Sequence, residues 1–303
     1  MTIRRSRGGP SREYRTFGDK DPPEGLDTPT IRQVIYDDQP PETLPVRGRS
    51  PLPSGRHRRP ASGDLPPDAP VLVLAVPGDK PDVGEEIASL TRVARSDIDV
   101  RVGTLDGPSF AEVLGELPGD RSTVVVPLVT GPHPQTYREI REALAKTGAT
   151  AIVTDPLGPH PLLAEVMHVR LSDAGLARAD RIRQFSIGAA VDGVIVATTG
   201  GGEAVRAADM TAVLLAARLA VPVIAASVAG RPAIDDVVTS LRESGAERLA
   251  VAPYVIGPEM DCDDLAKLAT EAGLGCADPL GAHSSIVRLV NLRYEVALDE
   301  EQP

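Results

Sequence analysis

The sequence reads Asp155-Pro156-Leu157-Gly158-Pro159-His160 in its middle and Asp278-Pro279-Leu280-Gly281-Ala282-His283 near its end. The second hexapeptide follows the first by 123 residues and differs from it at one position. In both copies an arginine lies ten residues after the histidine, at Arg170 and Arg293. A repeat of this kind indicates that part of the chain has been duplicated.

Two further segments recur in the same order. Residues 71–78 are echoed by residues 194–200, and residues 126–133 by residues 252–259. The offsets of the three pairs lie between 122 and 126 residues, which is too long for a solenoid repeat and fits a duplicated domain. The chain is therefore predicted to contain two copies of one unit with a cleft between them, and this cleft is where a functional site is expected.

Each copy alternates short apolar runs with segments of helical spacing. Residues 71–75 form a continuous apolar run, typical of a strand that is buried on both faces, and residues 83–94 show the spacing of a helix. Among the further predicted helices are residues 161–179 and 259–272. This alternation predicts an α/β fold of two similar units, each a parallel sheet with helices on both faces.

The first 68 residues differ in composition from the rest of the chain. They are rich in proline, arginine, glycine and aspartate and contain few aliphatic side chains, so they cannot bury enough apolar surface to offset chain entropy. Residues 1–68 are therefore predicted to be disordered. The N-terminal unit is predicted to cover residues 69–185 and the C-terminal unit residues 186–298.

Composition argues against several classes of function. A net charge of −11 disfavours general affinity for nucleic acid, and the lack of tryptophan with only three phenylalanines disfavours stacking of single-stranded bases. Cys262 and Cys276 form no CxxC pattern, which argues against a disulfide framework or a structural zinc site and favours reducing cytoplasm. No segment reaches the roughly 20 apolar residues of a membrane helix, so no membrane partner is expected.

The repeated motifs all follow predicted strands. In parallel sheets, ligands bind beyond the carboxyl ends of the strands, so these motifs are expected at one edge of each sheet. His133 follows the third strand and opens a helix, where a neutral imidazole can bind a divalent metal ion or accept a proton. Glu259 is its counterpart in the second copy. If the units face each other, imidazole and carboxylate together suit Fe, Co or Ni.

Simpler interpretations of the same residues remain open. His133 could be a surface or helix-capping histidine, and Glu259 with its acidic neighbours could supply favourable negative charge to a helix N-terminus. His160 and His283 are expected to satisfy backbone groups at tight turns before helices. Arg170 and Arg293 are expected to tie each helix back to its own unit, with anchoring of a substrate carboxylate as the alternative.

The motifs resemble those of a known family. VVVPLVTGPH at residues 124–133, DPLGPHPLL at residues 155–163 and ADPLGAHSSIVRLVNLRY at residues 277–294 look like the sirohydrochlorin chelatases of the CbiX/SirB type. The likeness covers about residues 70–298. The second half, which contains residues 277–294, resembles the carboxyl half of the two-domain form found in high-GC bacteria.

This resemblance implies a chelatase fold and a lyase that inserts Co or Fe into sirohydrochlorin, in cobalamin or siroheme biosynthesis. It implies no organic cofactor, since the divalent metal is a substrate. Family members use two histidines, one after the first strand and one after the third. The second corresponds to His133, whereas Pro77 stands at the first; in the second unit, Thr199 and Glu259 stand at the matching positions.

On this basis, His133 is expected to be both metal ligand and proton acceptor, with Glu259 as a second ligand or proton relay. Lys80, Arg138 and His160 are expected to contact the carboxylates of the tetrapyrrole. Two alternatives stay open: a non-catalytic relative that binds tetrapyrrole or metal or serves as a scaffold or regulator, and an unrelated two-lobed protein that binds a small metabolite. One chain supplies both halves of the cleft, so a monomer is sufficient.

Overall fold

Two four-stranded parallel sheets carry the duplicated halves of the chain, with the strand orders β2-β1-β3-β4 and β6-β5-β7-β8. The computed structural model describes residues 65, 69–107, 109–119, 121–178 and 191–301. The first half contains β1 (Val71–Val76), α1 (Asp82–Ala94), β2 (Val100–Thr104), α2 (Ser109–Gly115), β3 (Thr123–Pro127), α3 (Pro134–Thr147), β4 (Ala151–Val153) and α4 (Pro161–Asp173). The second half contains β5 (Gly193–Thr198), α5 (Gly202–Leu219), β6 (Val223–Ser227), α6 (Ile234–Glu243), β7 (Leu249–Pro253), α7 (Cys262–Glu271), β8 (Gly275–Cys276) and α8 (Ser284–Glu301).

The sequence pattern accounts for the central strands. β1 and β5 are each buried along their whole length, because both faces of each sheet are covered by helices. Each lies at an interior position of its sheet, paired with β2 and β3 or with β6 and β7. The predicted fold class, two similar α/β units with helices on both sheet faces, is confirmed.

The helices form three layers around the two sheets. α2 and α3 cover the outer face of the first sheet, and α6 and α7 cover the outer face of the second. Side chains from α1, α4, α5 and α8 join those of both sheets in one hydrophobic core. The largest core of the molecule therefore lies between the sheets, so the two halves share it.

The last helix of each half packs on the sheet of the other half: α4 contacts β7, and α8 contacts β3. This exchange corrects the prediction that Arg170 ties its helix to its own unit. Nε and Nη2 of Arg170 donate to the carbonyl oxygen of Leu280, in the second DPLG turn, at 3.2 and 2.8 Å. In the first DPLG turn, burial lowers the pKa of His160, and the nearby positive charge of Arg293 from α8 lowers it further.

Two predicted helix bounds are wrong. α4 ends at Asp173 instead of residue 179, and Gly175 follows it with φ 72°, a conformation that favours glycine after a helix. α7 begins at Cys262 instead of residue 259, because the Asp261 carboxylate accepts the backbone N–H groups of Asp263 and Asp264 at 3.0 and 3.1 Å.

Some predictions fall on parts of the chain without a structural description. Apart from Leu65, whose backbone N–H donates to Asp97 at 3.2 Å, the segment 1–68 predicted to be disordered lies outside the described residues. The predicted boundary between residues 185 and 186 lies outside them as well. Among helices of the described residues, none has the length and apolar character needed to cross a membrane.

Candidate functional site

The loops after the central strands of the two sheets face each other. Gly78, which follows β1, approaches the loop after β7 so closely that a Cβ atom there would lie 3.3 Å from the carbonyl oxygen of Pro258. A Cβ atom on Gly200, which follows β5, would lie 3.9 Å from the carbonyl oxygen of Pro132, which follows β3. Both glycines have positive φ, 79° and 92°. The structure thus brings the repeated motifs together in a cleft between the two halves.

A hydrogen-bonded pair fixes the floor of this cleft. The Thr130 hydroxyl donates to the carbonyl oxygen of Tyr254 at 2.7 Å, and the Tyr254 hydroxyl donates to the carbonyl oxygen of Thr130 at 3.3 Å. Thr211 contacts the same tyrosine hydroxyl at 3.0 Å. Tyr254 is fully buried, and burial raises its pKa to about 12. The loops after β3 and β7 are therefore locked to each other by buried polar groups.

His133 is the N-cap of α3, and Pro134 occupies the first helical position. Its Nδ1 accepts the backbone N–H of Thr136 at 3.4 Å and lies 2.8 Å from the hydroxyl oxygen of the same residue. The ring is partly buried, and this burial lowers its pKa, against an opposing effect of Glu139. The imidazole is therefore neutral at neutral pH, with Nδ1 held by the helix and Nε2 on its other side.

Glu259 lies in the loop before α7, and its carboxylate folds back onto that loop. Oε1 accepts the backbone N–H of Ile256 at 2.8 Å, and Oε2 accepts that of Gly257 at 2.7 Å. Burial raises the pKa of Glu259 to about 7 in spite of these two hydrogen bonds. Its acidic neighbours Asp261, Asp263 and Asp264 lie at the N-terminus of α7, where the simpler interpretation expects negative charge. The carboxyl group can gain or lose a proton near neutral pH.

His133 and Glu259, which come from different halves, line one small cavity with Thr199 and neighbouring loop residues. Its volume is about 10 Å³, near the limit for a single water molecule. A larger cavity of about 310 Å³ lies on one side, lined by His133, Gln135, residues 200–202 and Glu203. The N-terminal ends of α3 and α5 meet there, so their dipoles favour negative charge.

Another cavity, of about 350 Å³, is lined by loops of both halves and has an acidic wall. Its charged lining residues are Asp79, Lys80, Asp82, Asp261 and Asp263. Four carboxylates outnumber the one ammonium group, so this cavity attracts cations and disfavours polyanions.

The other predicted site residues are spread more widely. Lys80 is exposed at the acidic cavity, and Arg138 is exposed on α3. His160 caps α4 by accepting the backbone N–H of Leu162 at 3.1 Å. Neither Arg138 nor His160 is among the described residues that line the three cleft cavities. The structure therefore brings His133, Glu259 and Lys80 to the cleft but not the remaining two.

Pro77, just after the end of β1, is buried. Within the described part of the chain, no group of three or more His, Cys, Asp or Glu side chains is arranged to hold a metal ion. Among the described residues that line the small central cavity, His133 supplies an imidazole and Glu259 a carboxyl group.

Sequence reasoning missed Thr136 and the Thr130–Tyr254 pair. Thr136 is three residues after the capping histidine, and this spacing is the usual signal of reciprocal contacts at a helix start. Thr130 and Tyr254 do not occupy equivalent positions in the two copies, so the repeat gave no signal for their contact.

Comparison with known proteins identifies relatives for part of the chain. The model of the CbiX family matches residues 78–174, in the first half. No curated protein matches the chain in sequence. Among solved structures, a multi-domain protein from Deinococcus radiodurans, described as structurally similar to chelatases with two additional novel domains, is similar with a TM-score of 0.48 and 16% identity. The match covers 74% of this chain and 54% of that one, so the chain spans about half of its length.

A fatty acid ABC transporter substrate-binding protein from Thermomonospora curvata is also similar, with a TM-score of 0.29 and 11% identity. That match covers 68% of this chain and 56% of the transporter protein.

Proposed function

We propose that this protein inserts a divalent metal ion, Co²⁺ or Fe²⁺, into sirohydrochlorin or a related tetrapyrrole. The match of residues 78–174 to the CbiX family supports a function of the metal-chelatase type. The observation that carries the proposal is the placement of His133 and Glu259, one from each half, around one cavity. Imidazole nitrogen and carboxylate oxygen are suitable ligands for these metals.

Metal insertion requires that the metal ion reaches the macrocycle and that two pyrrole N–H protons leave. With two protein ligands, most coordination positions of the ion stay open to the macrocycle nitrogens, which suits transfer better than storage. A neutral His133 can accept one proton. Glu259, with its pKa raised to about 7 by burial, can relay a proton near neutral pH.

The charged groups around the cleft suit a different substrate in each of the two larger cavities. The acidic cavity beside Lys80 is suited to the approach of a cation. The cavity of about 310 Å³, where α3 and α5 begin, is suited to a carboxylate-bearing edge of the macrocycle. His133 lines this second cavity as well as the central one, which supports its proposed role in proton transfer from the macrocycle.

The test is the absorption spectrum of sirohydrochlorin mixed with Co²⁺ or Fe²⁺ and the protein. We expect metal-dependent conversion by the wild type and loss of conversion in His133→Asn, which keeps a side chain able to cap α3 but removes the imidazole. His283→Asn is the matched control, because His283 caps its own helix through Ser285 at 3.1 Å. Equal conversion by the two variants would refute the proposed role of His133.

The alternative is binding of tetrapyrrole or metal without turnover. Pro77 at the position of the first histidine and the contact between Gly78 and Pro258 favour it, since both reduce what the cleft can hold. In the same assay, this alternative gives a shift of the tetrapyrrole spectrum on addition of protein, with no metal-dependent conversion.

A further inference from the structure

The two helices that the halves exchange carry an arginine at the same position. Arg170 in α4 and Arg293 in α8 each lie ten residues after a capping histidine. Arg170 reaches the second DPLG turn and donates to the carbonyl oxygen of Leu280 at 3.2 and 2.8 Å. Because α8 packs on β3 as α4 packs on β7, Arg293 lies correspondingly at the first DPLG turn.

Arg293 lacks the partners of its counterpart. Arg170 has an acceptor in Leu280 and a carboxylate in Asp173 at 3.9 Å. Val296 stands at the position in α8 that corresponds to Asp173 in α4. Among the described residues, none accepts a hydrogen bond from Arg293 or forms an ion pair with it. Arg293 is partly buried, so its N–H donors are available to a bound acceptor.

The position five residues after the capping histidine reverses its charge between the two copies. It is Glu165 in α4 and Arg288 in α8. In the second turn, burial and then Arg170 lower the pKa of His283. The carboxylates of Glu165 and Asp173 oppose this change. The histidine of the second turn therefore has charges of both signs around it.

Around His160, in the first turn, two positive charges act together. Burial lowers the pKa of His160, and Arg293 and Arg288 lower it further. Its Nδ1 accepts the backbone N–H of Leu162 at 3.1 Å, so the neutral ring carries its proton on Nε2. Asp155, in the same turn, is exposed and forms no ion pair with a described arginine. A chain of net charge −11 thus gathers two guanidinium groups and a ring N–H donor here.

We infer that Arg293, Arg288 and His160 form an anion-binding site at the first DPLG turn, which takes a carboxylate or phosphate group of a small ligand. Guanidinium groups bind both kinds of oxyanion through paired N–H donors. The described residues that line the three cleft cavities include none of these three side chains. The anion site is therefore separate from the site proposed for metal insertion.

The test is titration of the protein with inorganic phosphate or with citrate at constant pH and ionic strength, followed by NMR of the histidine side chains. We expect saturable shifts of the His160 signals, while those of His283 stay in place. In Arg293→Met the affinity should fall at least about tenfold, because charge-assisted hydrogen bonds to the anion are lost. Arg242→Met is the matched control, since Arg242 is exposed on α6 in the other half.

A second variant, Arg288→Glu, gives α8 the acid that α4 carries at this position and should abolish the shift of the His160 signals. Arg288 is exposed, so this variant decides the matter if thermal unfolding shows that Arg293→Met does not fold. Tighter binding of phosphate than of citrate assigns the ligand to phosphate compounds, and the reverse assigns it to carboxylates. Shifts that do not saturate with either anion, or equal affinity in wild type and Arg288→Glu, would overturn the inference.

Discussion

Replacing Arg170 with methionine tests the contact between the two halves of the chain. Methionine keeps much of the apolar stem but cannot donate to Leu280, whose side chain is fully buried. A hydrogen bond from a charged donor contributes about 1.5–3 kcal/mol. The accompanying ion pair with Asp173 is long, at 3.9 Å, and its carboxylate is largely exposed, so it adds little.

We therefore expect Arg170→Met to lower the free energy of unfolding by about 2 kcal/mol. At about 2–4 °C for each kcal/mol in a domain of 150–250 residues, the melting temperature should fall by roughly 4–8 °C. Hydrogen exchange locates the effect: the amides of Leu280 and Gly281, which donate to Val255 and Ile256, should exchange faster.

Arg141→Met is the matched control, because Arg141 is exposed on α3 and such a substitution usually changes stability by less than about 0.5 kcal/mol. Thermal unfolding of Arg170→Met at the wild-type temperature would show that the bridge from α4 to the second DPLG turn does not stabilise the fold. A loss of stability with unchanged exchange at residues 280 and 281 would show that the arginine acts within its own half.

Two further substitutions test the buried parts of the site. The pKa of Glu259 is raised from 4.5 to about 7, so its favourable contribution to the free energy of unfolding is complete below pH 4.5 and is lost as the pH rises through 7. Relative to Glu259→Gln, wild type should lose up to about 3 kcal/mol of stability across this window in urea unfolding. A difference that stays constant with pH would contradict the shift. Gly158→Ala places a Cβ atom 2.5 Å from atoms of Leu163, Thr130 and Tyr254, so chemical unfolding should show a loss of stability of about 1–3 kcal/mol. In the control Gly115→Ala, the added Cβ atom has nothing within 4 Å, and no loss of stability is expected.

The spacing of apolar residues predicted the order of strands and helices, because buried strands and helices differ in that spacing. The sequence repeat predicted that this order occurs twice. It also predicted that the loops holding His133 and Glu259 would come together, since the carboxyl ends of parallel strands lie at one edge. The partner of each terminal helix was beyond this kind of reasoning. Residues 161–173 are apolar on more than one side, so the sequence does not say which sheet they pack on, and only the three-dimensional packing assigns α4 to β7.

The protonation behaviour of the cleft residues was also beyond a reading of the chain. The raised pKa of Glu259 results from burial in a loop that closes on its own backbone, and the sequence gives no measure of that burial. The same holds for Thr136. Its distance from His133 along the chain is visible in the sequence, whereas its contact with Nδ1 depends on the cap geometry of α3.

The exchange of α4 and α8 makes each half depend on the other. Without its counterpart, either half would lose one of the helices that cover the inner face of its sheet, and its own α1 or α5 would cover only part of that face. Because both copies lie in one chain, each copy always has its partner. Mutations could then accumulate in one half without appearing in the other, so an imidazole at residue 133 can be matched by a carboxylate at residue 259, a pairing that no symmetric dimer of identical chains could present at equivalent positions.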